Sequence, residues 1–209
     1  MVSLIIRSPY ICVEPQKRLL QPMEDYLSSF NLLTEEEIRM AVNAGSYRTI
    51  KKNDYFVREG QVCRQVAFIH SGIFRSFYHN AQGEEITFCF MFEGTFTTAY
   101  SSLITQQPTV ENICAVTDAE LFVIPRTAID QFEKNSPNWL RLTKAIAEQE
   151  FVKMEQRVFT LLKESAENRY AELIGKHPDY LMHIPLNQLA SYLGITQRHL
   201  SRIRKAYAF

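Results

Sequence analysis

The chain has 209 residues, of which 46% are hydrophobic and 22% are charged. This composition is typical of one large or two small globular domains and excludes a disordered chain. The 23 basic and 23 acidic side chains cancel. That balance argues at first against a nucleic-acid-binding protein, because such proteins usually carry a net positive charge. No apolar run approaches the ~18 residues that a membrane span requires, so we expect a soluble, cytoplasmic protein.

Residues 1–22 are expected to form an N-terminal extension ahead of the first clear helical pattern. Arg7 and Pro9 interrupt the apolar start, and no small-residue cleavage site follows, so we expect no signal peptide. The four cysteines have no metal-ligand spacing, which favours isolated thiols in a reducing compartment over a redox or iron–sulfur role. They are Cys12, Cys63, Cys89 and Cys114.

Residues 23–136 have the pattern of a short helix followed by a β-rich sensor domain. Thr34 and Glu37 match a capping box, which predicts a helix that ends near Gly45. Between residues 60 and 94, β-branched and aromatic runs alternate with glycines at intervals of 12, 11 and 11, as in a sandwich or barrel. A hairpin turn is predicted at 80–83, with further strands at 112–116 and 121–124.

Residues 137–164 are predicted to form a dimerisation helix. Ser136 and Pro137 match a helix start, and the segment of ~27 residues would be ~40 Å long. Its apolar residues recur with heptad spacing, which favours pairing with a second copy over a helix lying on its own domain. This dimer seam comprises Leu140, Ala147, Phe151, Met154, Val158 and Leu161. Ser165 then matches the N-cap of a further helix, opening a domain at 165–209.

The segment that begins at Leu186 has the spacing of a helix-turn-helix. Ala190 provides the small side chain required where two helices cross, and Gly194 permits a left-handed turn. Thr196 is placed to cap the second helix. The positions that must pack the two helices are all apolar: Leu189, Leu193, Ile195, Leu200 and Ile203.

The second helix of this motif carries candidate DNA-binding residues on its exposed face. Arginine and glutamine can read guanine and adenine edges, and hydroxyl and lysine side chains suit phosphates. An ordinary helical hairpin is the alternative, but it does not explain four cations without an acid between residues 180 and 209. The candidates are Thr196, Gln197, Arg198, Ser201, Arg202, Arg204 and Lys205.

A β-roll, a long helix and a C-terminal helix-turn-helix, in this order, resemble the Crp/Fnr family of bacterial transcription regulators, particularly its short Bacteroidetes-type members. The resemblance covers about residues 23–207 and is most specific over residues 185–205. It implies an α+β fold with a jelly-roll sensor domain like a cyclic-nucleotide-binding domain. It also implies a homodimer on a pseudo-palindromic double-stranded DNA operator, with RNA polymerase as a further partner. Since Phe209 follows the recognition helix closely, a full C-terminal wing is not expected.

The resemblance also assigns roles within the recognition helix. Arg202 matches the family's base-contacting arginine, and Ser201 matches the serine before it. Arg198 stands where many members carry a glutamate that accepts from cytosine. We therefore expect an operator that differs from the family's consensus.

Residues 94–112 correspond to the family's effector pocket. In members that bind cyclic AMP, a glutamate holds the ribose and an arginine pairs with the phosphate, and Ala99 and Thr109 stand at those positions here. No arginine or lysine lies between Arg75 and Arg126, so we expect no tight binding of cyclic AMP. The remaining hydroxyls either line a site for a neutral or weakly polar ligand or serve as loop and cap groups. They are Thr97, Thr98, Tyr100, Ser101, Ser102 and Thr109.

Other functions fit the sequence less well. Only Cys12 lies where oxygen-sensing members cluster their cysteines, and His70 and His79 are isolated, so no cofactor, iron–sulfur centre or haem is expected. A cupin-like enzyme would need a His-x-His motif, which is absent from the sequence, so no metal site or catalytic residue is predicted. A ligand-binding module that acts through protein contacts alone remains an alternative.

The neutral net charge is an average over two parts of opposite sign. Residues 1–136 contain 12 basic and 16 acidic side chains, whereas residues 137–209 contain 11 and 7. The basic C-terminal part therefore removes the initial argument against DNA binding. We expect a signal in the acidic sensor part to alter helix pairing or a hinge near residues 164–168.

Overall fold

The computed structural model describes residues 15–176, 178 and 182–207. Residues 1–14 of the expected extension, including Cys12, lie outside the described residues. The helices are α1 Pro15–Ser28, α2 Glu35–Ala44, α3 Tyr100–Thr105, α4 Arg126–Asn135, α5 Pro137–Lys163, α6 Ala166–Lys176, α7 Leu186–Leu193 and α8 Gln197–Tyr207.

Eight strands form two four-stranded antiparallel sheets in the order β1-β8-β3-β6 and β2-β7-β4-β5. The strands are β1 Ser46–Ile50, β2 Tyr55–Val57, β3 Gln65–Ser71, β4 Phe74–His79, β5 Glu85–Met91, β6 Phe96–Thr97, β7 Asn112–Ala115 and β8 Ala119–Pro125. This is the expected β-roll, and the α+β fold class is confirmed. The predicted hairpin turn joins β4 to β5, where the Asn80 side chain accepts from the backbone N–H groups of Gln82 and Glu84.

The two sheets enclose an apolar core between their inner faces. Ala67 and Leu121 from the first sheet pack there with Phe74 and Ile113 from the second, and none is more than 1% exposed. The alternation of strand side chains leaves every second residue on an outer face. Each outer face is covered by a different set of helices.

The outer face of the first sheet packs against the N-terminal helices and the start of α5. Phe68 and Phe122 lie there in one cluster with Met23 from α1 and with Trp139 and Leu142 from α5. The expected boundary at residue 22 falls inside α1, so residues 15–22 continue into the helix that buries Met23. Helix α1 also contains Pro22, a residue that usually ends a helix or begins one.

The outer face of the second sheet packs against the C-terminal helices. Ile73 from the β3–β4 connection and Val116 at the end of β7 share a buried cluster with Leu189, Leu193 and Leu200. The helix-turn-helix and the β-roll therefore share a hydrophobic core. None of the helices among the described residues is long and apolar enough to cross a membrane.

Candidate DNA interface and sensor interior

The turn between α7 and α8 has the geometry that the sequence predicts. Gly194 adopts a left-handed conformation with φ of +68°, and its N–H donates to the carbonyls of Ala190 and Ser191. The hydroxyl of Thr196 accepts from the backbone N–H of His199 at 3.2 Å, which is the expected cap of α8. Leu186–Leu193 and Gln197–Tyr207 are thus two helices joined by a short, fixed turn.

Packing between α7 and α8 also follows the expected pattern. Leu189, Leu193, Leu200 and Ile203 are all buried, and Ala190 is only 2% exposed where the helices cross. Ile195 is half-buried. Since these residues fill the contact, most of the other residues of α8 are exposed.

The outward face of α8 carries most of the candidate DNA-binding residues. Of the seven predicted side chains, six are exposed and Ser201 is half-buried. Among the described residues, no carboxylate forms an ion pair with any of the four cations, so their charges are available to phosphates. These cations are Arg198, Arg202, Arg204 and Lys205.

Helix α8 is fixed to α6 on its other side. The Nε2 atom of His199 lies 3.5 Å from a carboxylate oxygen of Glu167, and the Tyr207 hydroxyl donates to the Glu167 carbonyl. Hydrogen bonds from its own backbone N–H and from Ser165, together with nearby His199, lower the pKa of Glu167. The contacts of His199 and Tyr207 with Glu167 place α8 against α6.

The connection between α5 and α6 is held by Arg169, which the sequence analysis did not single out. Its guanidinium donates to the carbonyl of Leu193 at 3.1 Å and to that of Glu164 at 2.5 Å. One side chain thus joins the C-terminal ends of α5 and α7, where free carbonyls favour a cation. The expected cap of α6 is present, since Ser165 Oγ accepts from the Asn168 N–H at 3.1 Å.

Helix α5 presents an unpaired apolar face to solvent. Of the predicted seam residues, Phe151 is 60% exposed and Ala147 is half-buried. Leu161 lies at the edge of this face, because its Cδ2 atom is 3.5 Å from where a Cβ on Gly194 would lie. The other exposed members are Leu140, Met154 and Val158.

Several hydroxyls of the expected effector pocket form hydrogen bonds with nearby backbone groups. Ser102 Oγ accepts from the Cys63 N–H, and Thr98 donates to the Gln65 carbonyl. Thr109 accepts from the N–H of Glu111. Tyr100 and Ser101 lie on the exposed side of α3, and the Thr97 hydroxyl is buried without a partner among the described atoms. Ser102, Thr98 and Thr109 therefore serve mainly as backbone ligands, which favours loop and cap roles for them.

A half-buried acid lies beside the second sheet, two residues after Thr109. The Ser76 hydroxyl donates to the half-buried Glu111 carboxylate. Burial raises the pKa of Glu111, although the Ser76 hydrogen bond opposes that effect. Burial also raises the pKa of the nearby Cys89 thiol to about 12, with a further contribution from Glu111. A thiol that stays protonated is a poor nucleophile, which argues against redox sensing at Cys89.

Metal binding has no support in the structure. Within the part of the chain that the structure describes, no group of His, Cys, Asp and Glu side chains could hold a metal ion. The described cysteines, Cys63, Cys89 and Cys114, are all free.

Comparison with known proteins agrees with this architecture. Residues 47–136 match the family model of the cyclic nucleotide-binding domain. FixK2 from Bradyrhizobium japonicum is similar in structure, with a TM-score of 0.70 and 16% identity over 78% of this chain and 83% of FixK2. The catabolite activator protein from Thermus thermophilus gives a TM-score of 0.56 and 22% identity over 88% and 86%. The chain has the fold of these regulators.

A third similar structure agrees over most of the length of both chains. A protein from Eubacterium rectale, assigned to the Crp/Fnr family of transcriptional regulators, has a TM-score of 0.68 and 17% identity over 88% of each chain. No curated protein sequence matches the chain. The Crp/Fnr resemblance is therefore confirmed at the level of the fold.

Proposed function

We propose that this protein is a sequence-specific, DNA-binding transcription regulator of the Crp/Fnr type. The observation that carries the proposal is the exposed face of α8, with four cations that have no ion-pair partner among the described residues. Helix α8 follows a left-handed glycine turn and a Thr196 cap, which is the arrangement of a recognition helix. Arg202 and Ser201 are proposed to contact base edges or phosphates, and the other exposed candidates to position the helix.

The DNA-binding proposal is tested by selecting bound duplexes from a random pool with the purified protein. Affinity for the selected duplex should fall steeply between 50 and 200 mM salt, because phosphate contacts release counterions. Arg202→Ala should weaken binding to that duplex by ~1–3 kcal/mol. Arg39→Ala, which removes an exposed cation from α2, is the matched control and should leave affinity nearly unchanged. Equal affinities for all three proteins would contradict the assignment, whereas failure to select any duplex would favour a module that acts through protein contacts.

A homodimer is proposed on the exposed apolar face of α5. Two copies paired along Phe151, Met154 and Val158 would present two α8 helices to successive major grooves, about 34 Å apart. Phe151→Glu should produce monomers in light scattering at micromolar concentration, since it places charges within the seam. Gln156→Glu introduces the same side chain on a different side of α5 and should remain dimeric. If the wild-type protein were monomeric in the same measurement, the proposed role of this face in dimerisation would be refuted.

Cyclic AMP is proposed not to be the effector. The half-buried Glu111 carboxylate accepts from Ser76 of β4, and no arginine or lysine lies in sequence between Arg75 and Arg126 to neutralise a phosphate. Titration calorimetry should detect no tight binding of cyclic AMP. A micromolar dissociation constant would contradict this part of the proposal.

A further inference from the structure

The outer face of β4 and β5, together with the β3–β4 connection, forms an intramolecular docking face for α7. We define this docking face by Ile73, Thr87 and Phe90. Ile73 is 2% exposed and packs in the same cluster as Leu189 and Leu193 of α7. The helix-turn-helix is thus packed directly against the sensor sheet.

Hydrogen bonds fix the position of α7 on this docking face. The backbone N–H of Thr87 donates to Ser191 Oγ at 2.9 Å, and Ser191 Oγ donates to the Glu85 carbonyl at 3.2 Å. The Thr87 hydroxyl donates to the Gln188 carbonyl at 3.2 Å. Because Thr87 is only 2% exposed, removing its partners leaves buried polar groups unsatisfied.

A buried cation holds the Thr87 hydroxyl in the required orientation. Arg75 Nε donates to Thr87 Oγ1 at 2.8 Å, so the Thr87 proton points to α7 rather than to Arg75. The Arg75 guanidinium also pairs with Glu85 at 2.5 Å and lies 4.3 Å from the centre of the Phe77 ring. Arg75, a residue of β4, therefore fixes the direction in which the Thr87 hydroxyl donates its hydrogen bond.

Arg157 joins α5 to both sides of the contact. Its Nε donates to the carbonyl of Phe88 on β5 at 2.9 Å, and its Nη2 donates to the carbonyl of Tyr192 on α7 at 2.8 Å. The guanidinium lies 3.8 Å from the centre of the Tyr192 ring, and that ring packs on Phe90 at a centroid distance of 5.3 Å. One side chain thus links the proposed dimer helix, the sensor sheet and the DNA-binding helices.

We propose that the docking face and Arg157 orient α8 for DNA binding, so that loosening this contact weakens DNA binding without removing a DNA contact. The four cations of α8 are exposed while α7 is docked, so the contact leaves the candidate DNA surface uncovered. The same strands carry Ser76 and Cys89, which pair across β4 and β5. A conformational change inside the roll would therefore move the sheet against which α7 packs. This inference rests on the proposed function.

The first test needs no DNA and compares Arg157→Met and Ser191→Ala with the wild type by amide hydrogen exchange and mass spectrometry. Arg157→Met should raise exchange at residues 186–193 by about tenfold, because it removes two hydrogen bonds from a charged donor. Ser191→Ala should give a smaller increase, and residues 119–125 should be unaffected in both. Lys153→Met, which removes an exposed cation from the same helix, is the matched control and should match the wild type. Unchanged exchange in both variants would overturn the docking role.

The second test measures affinity for a duplex selected with the wild-type protein. Arg157→Met should bind about three- to tenfold more weakly with an unchanged salt slope, because no phosphate contact is lost. Tighter binding would mean that docking inhibits the protein, and a shallower salt slope would make Arg157 a phosphate ligand. Either result would overturn the inference. If the wild type binds no duplex, the proposed function fails, while the exchange measurement still decides whether the docking face holds α7.

Discussion

The turn of the helix-turn-helix provides a sharp test of the structure, because Gly194 is constrained by backbone conformation alone. A Cβ at this position would meet only Leu161 Cδ2 at 3.5 Å, which is ordinary van der Waals contact. With φ at +68°, an L-residue costs about 1–2 kcal/mol there. Gly194→Ala should therefore lower the free energy of unfolding by about this amount, with no additional steric cost. Gly194→Asn should cost less, because asparagine tolerates the left-handed region, and Gly194→Val should cost most.

Urea denaturation followed by circular dichroism measures this effect. For a slope of about 2–3 kcal/mol/M, the midpoint of Gly194→Ala should fall by roughly 0.5 M with an unchanged slope. Gly175→Ala, near the end of α6, is the matched control, since no atom lies within 4 Å of its Cβ position and no positive φ opposes the change. It should be neutral or slightly stabilising, because alanine favours helices. If Gly194→Val lowered the free energy of unfolding less than Gly194→Asn, the left-handed conformation of the turn would be refuted.

Three further predictions concern other parts of the molecule. Glu111→Gln should stabilise the protein above neutral pH. Folding raises the pKa of Glu111, so its protonated carboxyl favours folding below the unfolded-state pKa. That contribution to stability is lost as the pH rises through the folded-state pKa, whereas glutamine does not titrate. The difference between the two proteins should shrink in acid in melting experiments, and a difference that grows there would contradict the raised pKa. Thr34→Ala should lower the free energy of unfolding, measured by urea denaturation, by about 1 kcal/mol, since it removes a complete capping box. Thr34→Ser should retain most of the stability. Leu200→Ala should lower the free energy of unfolding by about 2–5 kcal/mol, and the C-terminal helices and the roll should still unfold in one transition. Met182→Ala, at an exposed position, should be near neutral. A separate early transition would show that the core is not shared.

Much of the fold follows from local patterns in the sequence. Thr34 and Glu37 mark the start of α2, Ser136 and Pro137 mark the start of α5, and the residues near 80–83 mark a hairpin, because caps and turns depend on a few adjacent residues. The short elements β1, β2, β6 and α3 gave no such signal. Two- to five-residue strands and a six-residue helix contain too few side chains to establish a period. The short strands form because they pair with neighbouring strands of the sheets.

The candidate DNA interface was also accessible from the sequence. The spacing of Ala190, Gly194 and Leu200 is sufficient to define a helix pair and therefore which side of α8 faces outward. The roles of the hydroxyls in the expected effector pocket could not be predicted from residue spacing in this way. Thr98 and Ser102 are hydroxyls at plausible positions, but whether a hydroxyl faces a ligand or a nearby carbonyl depends on backbone geometry.

The contacts between the β-roll and α7 required the tertiary structure. Thr87, Ser191 and Arg157 are far apart in sequence, and each is an ordinary polar residue in its own element, so no periodicity or spacing identifies them. The sequence by itself determined the longer elements, the exposed cations of α8 and the apolar face of α5, because each depends on the order of residues within one segment. Only the tertiary structure decided that α7 and α8 share a core with the second sheet, because burial of Ile73 and Val116 against α7 and α8 depends on which faces of distant segments meet.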